Sequence, residues 1–102
     1  PLVTVDGVSV SASAPQGTAP RRFDLLLVED DPVVAEVLLG LLEAQGHRVH
    51  HAPQALAALT ILKTERIDVG LLDLDLPAID GLQLATMIRK NGWRLPLIAV
   101  TA

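Results

Sequence analysis

The amino-acid sequence predicts an α/β fold in which a parallel β-sheet carries helices on both faces. Short apolar runs without polar interruption, such as Leu25-Leu26-Leu27-Val28, are typical of strands that are buried on both faces. Segments with helical periodicity separate these runs, so strands and helices alternate along the chain. This alternation implies right-handed crossovers between parallel strands.

The first strand of this pattern, at residues 25–28, stops at an acidic segment that ends in Asp31-Pro32. Asp31 is a favourable N-cap and Pro32 suits the first helical position, so a helix is predicted to begin there. Gly46 is placed to end this helix. Between these two ends an apolar stripe repeats at helical spacing: Val33, Val34, Val37, Leu38, Leu41 and Leu42.

Beyond Gly46 the same alternation continues. The second helix carries Leu56, Leu59 and Leu62 on one face, and the third strand is again fully apolar and leads directly into Asp73. The predicted elements are a strand at 48–51, a helix at about 53–65, a strand at 69–72, a helix at about 81–90 and a strand at 95–100.

Length and composition exclude several classes of protein. A chain of 102 residues with 50% hydrophobic and 20% charged residues is one small globular domain rather than a disordered or fibrous segment. Without cysteine it has no disulfide framework and no thiolate chemistry. A formal net charge of −4 does not favour direct nucleic-acid binding. No apolar run approaches the ~20 residues of a membrane span, so we expect a cytoplasmic domain without membrane contact.

Residues 1–22 differ in composition from the rest of the chain. Residues 9–20 are small, polar and interrupted by Pro and Gly, which is typical of a flexible linker or tail. Before them, Asp6-Gly7 is a favoured two-residue turn with alternating valines on either side, which predicts a short hairpin. We therefore divide the chain into a tail at 1–22 and a domain at 23–102.

Three acidic side chains and one hydroxyl group directly follow the ends of predicted strands. Glu29 and Asp30 follow the first strand, Asp73 follows the third, and Thr101 follows the fourth. Since the carboxyl ends of parallel strands lie at one edge of the sheet, these groups are expected to converge there. Crowded carboxylates repel one another unless a cation compensates, and all-oxygen ligation suits Mg²⁺. A carboxylate beside such an ion can act as a nucleophile toward a phosphoryl group.

At these residues the sequence resembles the receiver domain of two-component signalling. The resemblance covers residues 23–102 and depends on four motifs in the family's order and spacing. They are Leu27-Val28-Glu29-Asp30-Asp31, Leu71-Leu72-Asp73-Leu74-Asp75-Leu76-Pro77, Asp80-Gly81 and Leu95-Pro96-Leu97-Ile98-Ala99-Val100-Thr101-Ala102.

The resemblance implies a flavodoxin-like (CheY-like) doubly wound sheet and assigns roles to individual residues. Glu29 and Asp30 would be the acidic pair that holds Mg²⁺, Asp73 the phosphoacceptor and a further ligand, and Thr101 the switch hydroxyl. Asp75 would offer its backbone carbonyl to the metal, whereas its carboxyl group has no role in the family.

The resemblance also implies partners and a context. The domain would take a phosphoryl group from a phosphohistidine of a histidine kinase or a histidine phosphotransfer domain. The Leu-Pro-Ala-Ile-Asp-Gly-Leu segment is most similar to receivers fused to histidine kinases, and residues 1–22 would suit the linker of such a hybrid kinase. The receiver itself is then not a turnover enzyme, although its parent polypeptide would be a kinase that can be membrane-anchored.

The sequence departs from the family at its carboxyl end. The fourth helix, the fifth strand, the fifth helix and the family's lysine after the fifth strand would all fall beyond Ala102. A fourth strand left as an apolar edge is a predicted association site. We therefore expect either that the chain belongs to a longer polypeptide or that a second copy covers this edge in a homodimer.

Two other functions compete with this interpretation. Asp73-Leu74-Asp75 also resembles the Asp-x-Asp motif of haloacid-dehalogenase-type phosphatases, with Asp73 as nucleophile and Asp75 as general acid. That motif, however, normally ends the first strand of its domain, not the third. A degenerate receiver that only binds partners is the second alternative. His47, His50 and His51 are interpreted as surface or half-buried side chains rather than as metal ligands or phosphorelay histidines.

Overall fold

The structure, a computed structural model, describes residues 2–5, 8–11, 22–76 and 78–100. From residue 24 onward, strands and helices alternate along the described chain as predicted. The strands are β1 (Leu2–Val5), β2 (Val8–Ser11), β3 (Asp24–Val28), β4 (Arg48–Ala52), β5 (Val69–Asp73) and β6 (Leu97–Val100). The helices are α1 (Pro32–Ala44), α2 (Ala55–Thr64) and α3 (Gly81–Lys90).

The strands form one sheet in the order β1-β2-β6-β5-β3-β4. Strands β4, β3, β5 and β6 are parallel, with β3 and β5 side by side at the centre. The register pairs Val28 with Leu72 and Asp73 with Val100, so these strands end at a common edge. The predicted α/β class and parallel sheet are confirmed.

The outer edge of β6 is paired with the amino-terminal strands, whereas the sequence had predicted that a longer polypeptide or a second copy would cover it. β2 pairs with β6 in parallel, with Val8 opposite Leu97 and Val10 opposite Ala99, and β1 pairs with β2 in antiparallel orientation. Because β6 would otherwise keep unpaired backbone groups on that side of the sheet, an additional strand of the same chain can satisfy them. The Asp6-Gly7 turn and the linker residues 12–21 lie outside the described residues.

The two faces of the sheet are packed differently. On one face, α2 and α3 cover a cluster that includes Leu26, Val28, Leu72, Leu84 and Ile88, each of which is fully buried. On the opposite face, Leu25 and Leu27 are buried on the side on which α1 packs along β4. Within the described residues, no helix combines the length and the apolar character that crossing a bilayer requires.

The predicted buried stripe of α1 is wrong in detail. Ala35 is its only buried residue among those described, and Leu38 and Leu42 are half-buried. The other positions of the stripe are exposed: Val33, Val34, Val37 and Leu41. The helix is apolar on nearly every side, so its hydrophobic periodicity does not determine which side faces the sheet.

The predicted face of α2 is confirmed at Leu62, and Leu59 also packs against the core, but the prediction is wrong at Leu56. Leu56 is 67% exposed, whereas Ala55, Ala58 and Leu62 are buried against the sheet. Small alanines at this spacing let the helix lie close to the strands beneath it. The larger Leu56 is left at the helix start, beside the edge where the strands end.

The helix ends follow the predicted capping residues. The Asp31 carboxylate accepts hydrogen bonds from the N–H groups of Val33 and Val34, so α1 begins at Pro32 as predicted. Asp80 forms a reciprocal capping box with Gln83 at the start of α3. These caps fix the positions at which the chain leaves the strand ends.

Gly40 and Gly46 provide a test of this description of α1. A methyl group added at either residue would meet open space, but Gly40 is helical whereas Gly46 has φ +93°. We expect Gly40→Ala to raise the free energy of unfolding by about 0.5–1 kcal/mol, because alanine restricts the unfolded chain and suits a helix. Gly46→Ala should lower it by about 1 kcal/mol, because its backbone is left-handed. Urea unfolding followed by circular dichroism measures both, and equal effects of the same sign would contradict the assigned helix end.

Candidate functional site

Three acidic side chains meet at the edge where β3 and β5 end. Glu29 and Asp30 follow β3, and Asp73 is the last residue of β5. One carboxylate oxygen from each of the three lies within 4.8 Å of the others. Since Val28 is paired with Leu72 in the parallel ladder, the residues that follow them necessarily lie side by side. The structure thus brings together the three acids that the sequence placed at one sheet edge.

Backbone N–H groups orient two of these carboxylates. The N–H of Asp31 donates to Glu29 Oε2 at 3.1 Å, and the N–H of Asp75 donates to Asp73 Oδ1 at 3.0 Å. Each bond spans two residues and closes a local turn after the strand end. The two donors therefore hold the acids in place without introducing a side-chain cation that would neutralise them.

The pKa of Glu29 is raised from 4.5 to about 7, chiefly by burial. Side-chain hydrogen bonds with Asp73 and Asp30 and charge repulsion from Asp73 also raise this pKa. The hydrogen bond from the Asp31 N–H has the opposite effect. Glu29 is 8% exposed, whereas Asp73 is half-buried and Asp30 is exposed. The cluster thus holds a buried carboxyl group whose ionised form is disfavoured.

The donor set of this cluster fits a hard divalent cation. Its oxygen ligands come from carboxylates that converge within one coordination sphere, and oxygen ligation of this kind suits Mg²⁺. A cation would stabilise the ionised form of Glu29 and relieve the repulsion that raises its pKa. The arrangement can therefore bind a metal ion and present a carboxylate beside it.

A cleft adjoins the acid cluster. It has a volume of about 320 Å³ and is formed by the loops that follow β4 and β5. Its lining residues are Asp30, Pro53, Gln54, Ala55, Leu56, Ala78 and Ile79. Asp30 is the member of the acid cluster that lines this cleft.

Gly81 packs against the backbone of Asp73, a contact that the sequence analysis did not predict. It is the first residue of α3 and is buried. A Cβ atom at this position would collide with the backbone carbonyl oxygen of Asp73 and would lie 3.1 Å from Leu74 Cα. The start of α3 can approach the acid-bearing strand end this closely because residue 81 lacks a side chain.

The other predicted site residues have different outcomes. Asp75 is exposed and its N–H contacts Asp73, while the metal-binding role of its carbonyl remains a prediction. Thr101 lies outside the described residues, so its role as a switch hydroxyl also remains a prediction. Asp31, which lies next to the acid cluster, caps α1 as predicted.

Comparison with known proteins identifies the family that these features resemble. Residues 25–102 match the family model of the response regulator receiver domain. The sensor histidine kinase AruS of Pseudomonas aeruginosa is 39% identical over 98 residues, which are 92% of this chain and 10% of that protein. The transcriptional regulatory protein AfsQ1 of Streptomyces coelicolor is 41% identical over 78 residues, 76% of this chain and 34% of that protein.

Solved structures agree with the sequence matches. The receiver domain of sensor histidine kinase PA1611 from Pseudomonas aeruginosa, with a magnesium ion coordinated in its active-site cleft, is 37% identical. It superposes with a TM-score of 0.73 over 80% of this chain and 69% of that one. The chain spans about a tenth to a third of the two curated relatives named above.

The raised pKa of Glu29 predicts how metal-free stability depends on pH. Between pH 4.5 and about 7 the folded protein retains a proton on Glu29 that the unfolded chain has released. Each rise in pH across this interval therefore favours the unfolded state, and the stabilisation is lost above about pH 7. Glu29→Gln keeps the shape of the side chain but cannot ionise. Its free energy of unfolding should therefore equal that of the unsubstituted protein near pH 4 and exceed it by on the order of 1–2 kcal/mol near pH 8.

Urea unfolding in a chelator, repeated at several pH values, measures this difference. At each pH, the free energy of unfolding of the unsubstituted protein is subtracted from that of Glu29→Gln, which removes the contribution that the other titratable groups make to both proteins. A difference that does not change with pH would contradict a buried, proton-retaining Glu29.

Gly81→Ala tests the close approach of α3 to Asp73. The added methyl group must displace the Asp73 carbonyl or the start of α3, so we expect a loss of about 1–3 kcal/mol in the free energy of unfolding. Gly40→Ala is the matched control, since the same substitution in open helical space should have the opposite sign. An increase in the free energy of unfolding of both variants would contradict the close contact between Gly81 and the backbone of Asp73.

Proposed function

The chain belongs to the response regulator receiver domain family, and from that membership we propose that Asp73 is the phosphoacceptor and that Glu29, Asp30 and Asp73 hold a magnesium ion. The observation that supports the proposal is the convergence of these three carboxylates within 4.8 Å at the ends of two adjacent parallel strands. The backbone carbonyl of Asp75 is proposed as a further ligand. Magnesium, when bound, would neutralise charge on the carboxylates and on the oxygens of the incoming phosphoryl group.

The proposed reaction moves a phosphoryl group from a phosphohistidine to Asp73. A carboxylate oxygen of Asp73 forms a bond to phosphorus while the phosphorus–nitrogen bond to the imidazole breaks. The departing imidazole nitrogen retains the electron pair of that bond, and Asp73 becomes an acyl phosphate. Because Oδ1 accepts the Asp75 N–H, the rotation of the carboxylate is restricted and Oδ2 is left without that hydrogen bond.

The proposed partner is a histidine kinase or a histidine phosphotransfer domain, and the proposed setting is a hybrid kinase. The similarity to a sensor histidine kinase over 92% of this chain supports that setting, although AfsQ1 shows that the family also includes transcriptional regulators. Thr101 is proposed as the switch hydroxyl, which would donate to the phosphoryl group and couple its presence to a change of partner contacts.

The phosphatase alternative has no support from the comparisons. The family match and the relatives named above are receivers or proteins of two-component signalling. In addition, Asp73 ends β5, the third strand of the alternating strand–helix region, whereas the phosphatase motif normally ends a first strand. A receiver that only binds partners differs from the proposal in one measurable respect, which is modification of Asp73.

Asp73→Asn tests the proposal, and Asp75→Asn is its matched control. The parent polypeptide that carries these residues is incubated with Mg²⁺ and a small acyl phosphate, and its intact mass is measured. We expect the mass of one phosphoryl group to be gained by the unsubstituted protein and by Asp75→Asn, and to be absent from Asp73→Asn. The Asp75 side chain is exposed and only its backbone is assigned a role, so its carboxyl group should be dispensable.

Each other outcome has a distinct meaning. No gain in the unsubstituted protein would favour the binding-only receiver. Repeated hydrolysis of a phosphomonoester, abolished by Asp75→Asn, would favour the phosphatase. Undiminished modification of Asp73→Asn would place the phosphoacceptor elsewhere.

A further inference from the structure

We infer that His51 is a positioning residue for the acid cluster, because its imidazole fixes the peptide that joins Glu29 to Asp30. His51 Nε2 lies 2.8 Å from the backbone carbonyl oxygen of Glu29. This inference rests on the proposed function, since it concerns the same metal-binding acids. It assigns to His51 a role that differs from the surface or half-buried side chain expected from the sequence.

Both backbone polar groups of Glu29 are held by β4. The N–H of Glu29 donates to the carbonyl of Ala52 at 3.1 Å, which extends the β3–β4 ladder by one bond. The carbonyl of Glu29 has the side chain of His51, also on β4, as its hydrogen-bond donor. Without His51, the ladder would fix one side of Glu29 and leave the other side free to rotate.

The carbonyl of Glu29 and the N–H of Asp30 belong to the same planar peptide unit. A donor that fixes this carbonyl therefore also fixes the direction in which Asp30 leaves the strand. Asp30 is exposed, so packing restrains it little, and its direction depends on this peptide plane. The geometry of both acids toward Asp73 is thus coupled to one hydrogen bond.

The protonation of His51 does not decide the contact. A carbonyl oxygen can only accept a hydrogen bond, so the hydrogen must be on Nε2. This condition is met by the neutral Nε2–H tautomer and by the imidazolium alike. The inference therefore depends on the position of the ring and not on its charge.

The position of the ring is itself determined by the sheet. His51 is opposite Leu27 in the β3–β4 register, and Leu27 is buried on the face along which α1 packs. His51 is half-buried there. The ring is thus half-buried on one face of the sheet, where its Nε2 lies against the Glu29 carbonyl.

The two neighbouring histidines provide an internal comparison. His50 is on the opposite face of β4, and its Nε2 lies 3.7 Å from Asp24 Oδ1 at the far end of β3. His47 accepts a hydrogen bond from the N–H of Phe23, also at that far end. Neither of them contacts the strand end that carries the acids, so His50 is a control within the same strand.

The experiment compares two substitutions of similar shape in the parent polypeptide. Gln in place of His51 keeps an N–H donor, whereas Met has a similar length and no donor. The dissociation constant for Mg²⁺ is measured by calorimetric titration, and the unfolding midpoint is measured in a chelator. We expect His51→Met to weaken Mg²⁺ binding about tenfold, as for other residues that orient metal ligands, and His51→Gln to remain within about threefold of the unsubstituted protein. His50→Gln should bind Mg²⁺ without change.

The remaining outcomes separate the inference from the proposed function. Absence of Mg²⁺ binding in the unsubstituted protein would overturn the proposed metal site, and the inference with it. Normal binding by both the unsubstituted protein and His51→Met would overturn the inference alone. Equal loss of affinity in His51→Met and His51→Gln, with parallel falls in the unfolding midpoint, would show a packing role and would also overturn it. His51→Leu replaces His51→Met in the comparison if the latter does not fold.

Discussion

The parallel alignment of β3 with β5 is the constraint on which the site depends. Val28 is opposite Leu72, so the acids that follow each strand are neighbours in space although 43 residues of sequence separate Asp30 from Asp73. A shift of two residues in this register would move Asp73 by about 6.6 Å relative to Glu29, more than the 4.8 Å that the cluster spans. The buried apolar side chains of both strands oppose such a shift, and in this way the core determines the geometry of a polar site.

The acid cluster is a local departure from the rules that stabilise the rest of the domain. Burying Glu29 beside two other carboxyl groups raises its pKa to about 7, whereas an exposed glutamate would ionise freely. The structure compensates only in part, through backbone N–H donors at Asp31 and Asp75. Proteins accept such conflicts at functional sites, because the same crowding that disfavours the metal-free state is relieved when a cation binds.

The parts of the fold that the sequence predicted are those that local chemistry determines. Apolar runs identified the strands, and Asp31 identified the start of α1 because its cap is a local hydrogen bond. The burial of α1 could not be predicted, since a helix that is apolar on nearly every side has no preferred face. The pairing of β2 with β6 joins distant segments, and the closeness of Gly81 to Asp73 depends on how α3 is placed against the end of β5. Neither composition nor periodicity encodes these two contacts.

The supports of the site come from elements outside its motifs. The first residue of α3, Gly81, packs against the backbone of Asp73. Strand β4 contacts the backbone of Glu29 twice, through the carbonyl of Ala52 and through the His51 side chain. Each support acts on backbone atoms, so it sets the position of a carboxylate without contributing a charge to the cluster. A change at such a position would alter the geometry of the acid cluster while the acids themselves stay the same. This separation explains why the acids alone, which the sequence identifies readily, do not specify how tightly the site is held.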